Sequence, residues 1–83
     1  MYLEKFELEE LCEGAIMLDG FDDAIIGIVE SFGVGNRVLY SKEKILKILY
    51  SEGMSNFEAE DYYNYNILGL YGGEQNPLFL IHQ

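Results

Sequence analysis

The sequence predicts an α+β fold over residues 1–83, read as one domain. A small, mostly antiparallel sheet of three to four short strands carries helices on one face, in the rough order α-β-β-β-α-α-β. Three observations lead there. Two helix-start signals with apolar periodicity fall around residues 41–53 and 55–70. A β-branched run at 24–32 leads through a glycine-rich turn into a second short run at 37–40. A last extended segment follows Pro77. Helices gathered on one side of such a sheet bury its apolar face with the fewest connections.

Each element has its own warrant. Residues 3–13 read as a short helix, because Leu8, Leu11, Cys12 and Ala15 share a face while Glu7, Glu9, Glu10 and Glu13 lie elsewhere; Gly14 is its stop. Ala15-Ile16-Met17-Leu18 is a short apolar run that enters the Asp19-Gly20 turn, and with the two runs after it gives three short strands or a strand pair. Residues 24–32 are ambiguous: Ala24, Ile25, Ile28, Val29 and Phe32 also form a helical stripe. Their β-branched content and the unfavourable Gly27 favour a strand. Gly33-Val34-Gly35-Asn36 reads as the hairpin loop into a strand at 37–40. Ser41 caps a helix with Ile45, Leu46, Ile48 and Leu49 on its apolar side, and Gly53 ends it. Ser55-Asn56-Phe57-Glu58 matches a capping box and starts a further helix to about Leu70, closed by Gly72-Gly73. Leu78-Phe79-Leu80-Ile81 is the last strand. The two helices before it form a crossover long enough to let it run parallel to a neighbour.

Composition narrows the function classes. Twelve aromatics in 83 residues, seven Tyr and five Phe, supply the burial a small chain needs. The single cysteine makes no internal disulfide, no stretch approaches a membrane span, and the first residues are acidic where a signal peptide is basic, so a cytoplasmic location is expected, without membrane association. Net charge is −10, with nine acids against Lys5 in residues 1–36 and no base from Tyr50 onward. Such a surface repels phosphate backbones, so direct nucleic-acid binding is not expected. Arg37, Lys42, Lys44 and Lys47 form the one basic stretch.

Several short blocks occur in a recognisable order: Gly20-Phe21-Asp22-Asp23-Ala24-Ile25-Ile26-Gly27, Val38-Leu39-Tyr40, Glu52-Gly53-Met54-Ser55, Asn66-Ile67-Leu68-Gly69 and Gly73-Glu74-Gln75-Asn76-Pro77-Leu78-Phe79. Together they resemble a family of small proteins of tailed phages and prophages that has no assigned activity. The resemblance covers residues 13–81 and implies no catalytic or binding residue. It departs at Gly33-Val34-Gly35-Asn36, where a proline-containing loop would be expected.

The sequence offers few reactive groups. Asp19, Asp22 and Asp23 lack the alternating ligands and closing glutamate of a calcium loop, and turn hydrogen bonding accounts for them better. Cys12 lies on an apolar helix face and His82 stands two residues from the end; neither makes a convincing nucleophile or base. The glycines at 69–73 follow a helix instead of preceding one, which is the wrong order for a phosphate loop. No enzyme activity, metal or cofactor is expected.

Two surface features remain. Tyr62 and Tyr65 share one side of the last helix with Glu58 and Asp61 nearby, while Tyr63 is turned by about 100°. One sheet cannot bury all these rings, and exposed tyrosines mark protein interfaces. Glu58, Asp61, Tyr62, Tyr63 and Tyr65 are therefore the candidate interaction surface. Glu9, Glu10, Glu13, Asp19, Asp22 and Asp23 are a candidate acidic patch that could imitate nucleic-acid phosphates. The expected function is protein–protein interaction with a host or phage protein, inhibition being one consequence. Alternatives are a homodimer or other self-assembling accessory component and, behind both, a carboxylate-based metal protein or enzyme.

Overall fold

A computed structural model describes residues 5–33, 35–69 and 76–81 of the chain. The order is α1 (Lys5–Leu11), a 3₁₀ turn (Asp22–Ala24), β1 (Ile25–Ser31), β2 (Gly35–Ser41), α2 (Lys42–Ser51), α3 (Asn56–Tyr62), a π-helical segment (Tyr63–Leu68) and β3 (Leu78–Leu80). The fold is α+β, with a three-stranded mixed sheet in the order β1-β2-β3. β1 and β2 form an antiparallel hairpin, and β3 runs parallel to β2 after the helical crossover.

Residues 24–32 form a strand, and their helix-like spacing has a structural cause. Ile25 pairs with Tyr40 and Gly27 with Leu39, so the ladder is interrupted by a bulge at Ile26. The extra residue shifts the alternation of side chains. Ile25 and Ile28, three apart, therefore both lie opposite core-facing partners, Tyr40 and Val38. A bulged strand imitates a helical stripe. The hairpin turns where the sequence predicts, with Gly33 and Gly35 at φ of +80° and +89°, a region open mainly to glycine.

The run 15–18 is not a strand. Ala15, Met17 and Leu18 pack against the core, but the Leu18 N–H donates to the hydroxyl oxygen of Tyr40 at 2.8 Å, not to a ladder. One side chain satisfies a backbone donor that would otherwise need a strand partner. The predicted order therefore loses its first strand.

The core gathers Leu8 and Cys12 of α1, Ile25, Val38 and Tyr40 of the hairpin, Ile45 and Leu49 of α2, and Ala59, Tyr63 and Ile67 of the last helical stretch. Asn36 shares the Val38–Tyr40 side of β2 and donates through Nδ2 to the Leu11 carbonyl at 2.7 Å, tying α1 to that face. Phe79, the β3 partner of Tyr40, stacks on it at 6.1 Å and meets the Tyr63 ring edge-on at 5.7 Å. All the helical elements thus reach the same side of the sheet. Leu39, Leu78 and Leu80 alternate to the other side and are half-buried.

Candidate functional site

The link between α2 and α3 builds the site. At the end of α2 the Gly53 N–H donates to the Tyr50 carbonyl at 3.0 Å and the Met54 N–H to the Leu49 carbonyl at 3.2 Å. Gly53 has φ of +99°, so this is a Schellman stop, and it turns Met54 back toward the core. Ser55 then caps α3: its hydroxyl oxygen accepts the Glu58 N–H at 3.2 Å, while its own N–H donates to Glu58 Oε1 at 3.0 Å. Donation to the carboxylate, from the Ser55 backbone N–H first and the Ser55 hydroxyl second, holds the Glu58 carboxyl below the usual carboxylate range. The carboxylate is fixed at the first turn of the helix and stays ionised.

From there α3 divides into two faces. Ala59, Tyr63 and Ile67 are buried at intervals of four. In an α-helix that interval overshoots a full turn by about 40° per step and would carry Ile67 off the core. The wider π turn from Tyr63 reverses the drift. On the opposite face, Met54, Phe57, Tyr62 and Tyr65 surround a groove of about 290 Å³, with Glu58, Asp61 and Asn66 on its walls. Phe57 is 79% exposed, Tyr65 77% and Tyr62 39%.

The structure thus brings together four of the five predicted interaction residues: Glu58, Asp61, Tyr62 and Tyr65. Tyr63 does not belong with them. It is 2% exposed, packs on Phe79, and lies under Lys42, whose Nζ stands 4.8 Å above the ring and 3.4 Å from Glu60 Oε2. The 100° offset between Tyr62 and Tyr63 turned Tyr63 inward. Met54, Phe57 and Asn66 were not anticipated; the spacing of Phe57, Asp61 and Tyr65 at successive fours would have revealed Phe57.

The acidic group is spread over two places. Glu10 and Glu13 are exposed in and after α1, and Asp19, Asp22 and Asp23 are exposed before β1. Asp22 and Asp19 lie close enough to Tyr40 to help burial raise its hydroxyl pKa, against the Leu18 bond that lowers it. None of these acids lines the α3 groove. Glu9 lies in α1, and its side chain is outside the described residues, as are His82 and the glycine-rich loop from residue 70. Among the described residues no group of three or more His, Cys, Asp or Glu side chains could hold a metal ion. Cys12 is buried, and burial pushes its thiol pKa up. Among the described residues no helix is long and apolar enough to cross a membrane.

No protein-family model, curated protein or solved structure matches the chain.

Proposed function

We propose that this chain is a phage-type protein that acts by binding another protein of the phage or its host. On this reading it works in the host cytoplasm and grips its partner through the α3 groove. The observation that carries the reading is the pairing of two largely exposed rings, Phe57 and Tyr65, with Met54 and Tyr62 around carboxylates of Glu58 and Asp61. Large apolar groups gathered on a small surface oppose solubility unless a partner covers them. The carboxylates select the chemistry of that partner: an arginine- or lysine-bearing segment beside an apolar anchor, with cation–π contact to the rings. A net charge of −10 adds attraction for a basic surface once the two approach within a Debye length of about 8 Å. A protein that covers such a surface blocks whatever else binds there, so inhibition follows naturally.

The test compares wild type with the Phe57→Ala/Tyr65→Ala double variant as bait in lysate at low and high salt. The reading expects a defined protein retained by wild type, released by salt, and lost with the variant. Equal retention by both baits would reject the groove as the binding surface.

Self-association is a second reading, favoured by the half-buried Val29, Leu39, Leu78 and Leu80 on the sheet face away from the core. Light scattering decides it: a strict monomer at high concentration removes it.

A further inference from the structure

A second cleft lies on the far side of the π-helical segment, where the start of β3 runs beside β2. It holds about 370 Å³ and is walled by Ile67, Leu68, Pro77, Leu78 and Phe79. Two polar side chains, Arg37 and Asn76, complete the lining. Among the described residues the wall contains no carboxylate.

Arg37 is the informative member. Its neighbours in β2, Val38 and the alternating Asn36, face the core, so Arg37 projects to the opposite side of the strand and is half-buried. Its Nε is shielded from solvent and has no hydrogen-bond partner. Lys42 and Lys47, in contrast, have Glu60 and Glu43 beside them. Partial burial strips the guanidinium of some of its hydration, a free-energy cost that an anion meeting the part of Arg37 that lines the cleft would offset. A guanidinium also presents parallel N–H groups that match the two oxygens of a carboxylate.

We propose that this cleft binds a carboxylate attached to a small branched apolar group. The class follows from the walls. One guanidinium balances one negative charge, whereas a phosphate dianion would lose strong hydration against Ile67, Leu68, Pro77 and Leu78 without a second cation among the described lining residues. The volume falls at the small end of ligand sites, enough for a leucine-sized group. Distant surface acids oppose the anion weakly, because their field decays over a Debye length of about 8 Å at physiological salt. Two sources carry this chemistry: a branched short-chain acid, and the C-terminal residue of a peptide. The site is separate from the α3 groove and does not depend on the function assigned there.

The test is a ¹H–¹⁵N NMR titration with 4-methylpentanoate, N-acetyl-leucine and N-acetyl-leucinamide. Saturable shifts are expected at Ile67, Leu68, Leu78 and Phe79 for the two acids, with the uncharged amide weaker by about tenfold or more. Arg37→Met should abolish the shifts while its spectrum stays dispersed. Leu68→Glu sets a fixed negative charge at an exposed position of the wall and keeps the test open should the Arg37 variant unfold; it should weaken binding by a similar factor. Tighter binding of N-acetyl-leucine than of 4-methylpentanoate assigns the site to peptide ends, and equal binding assigns it to free acids. The proposal is overturned by absence of saturable shifts with either acid, by equal binding of the amide, or by unchanged binding in a folded Arg37→Met or Leu68→Glu protein.

Discussion

The hydroxyl of Tyr40 accepts the Leu18 N–H while its ring stacks on Phe79, so one buried side chain joins the loop before β1 to the last strand. Tyr40→Phe keeps the ring but leaves the Leu18 donor without its partner. The expected loss is about 1–2 kcal/mol, read from urea unfolding at neutral pH. Tyr40 and Tyr63 also set an alkaline limit. Burial is the first cause that raises both hydroxyls above their ordinary value, with Glu60 adding to the effect at Tyr63. The folded chain therefore keeps these protons to higher pH than the unfolded chain, whose tyrosines titrate at about pH 10. Stability from this source is fully present below that pH and is lost as pH rises toward the folded values. The urea midpoint should fall on the alkaline side, and less steeply in Tyr40→Phe; a midpoint that rises there would contradict the burial of both rings.

Among the elements, those governed by local chemistry were legible in advance. The Ser41 and Ser55 caps, the Gly53 stop and the turn at Gly33 each depend on a few adjacent residues, whereas Gly35 and Asn36 of the expected loop already belong to β2. Ser55→Ala should cost about 1 kcal/mol in thermal unfolding by removing the acceptor for the Glu58 N–H. The low carboxyl pKa of Glu58 gives the box a pH signature. Its contribution is present above the unfolded value of about 4.3 and fades as acid brings the pH through the lower folded one. Features decided by long-range packing were not legible. The bulge at Ile26 depends on Tyr40 and Leu39 across the hairpin, and the 15–18 run is held by a tyrosine hydroxyl twenty-two residues away. The π segment likewise arises because Ala59, Tyr63 and Ile67 must all meet the core. Gly69 closes that segment, donating its N–H to the Asn64 carbonyl at 3.1 Å. A Cβ there would sit 3.1 Å from the Asn64 carbonyl oxygen and 3.2 Å from that of Tyr65. Gly69→Ala should therefore cost about 1 kcal/mol or more and speed amide exchange at Gly69.

Across the whole molecule, the two clefts differ in how much of each the sequence disclosed. The α3 groove was largely legible because helical periodicity separates Tyr62 and Tyr65 from Tyr63 without tertiary information. The Arg37 cleft was not, since Arg37 meets Pro77 and Leu78 only through the parallel β2–β3 pairing. That pairing also governs the route by which the chain reaches its native state. The β1–β2 hairpin needs only local contacts, whereas β3 pairs with β2 across both intervening helices and is expected to dock last. Until it docks, the rings of Tyr40 and Tyr63 lack Phe79, and the free edge of β2 can recruit another chain. Stopped-flow kinetics should reveal this order: Phe79→Ala should leave the refolding rate nearly unchanged and accelerate unfolding, whereas Val38→Ala should slow refolding. With those outcomes the short strand β3 is a latch that closes late and sets how long the native molecule persists before it opens.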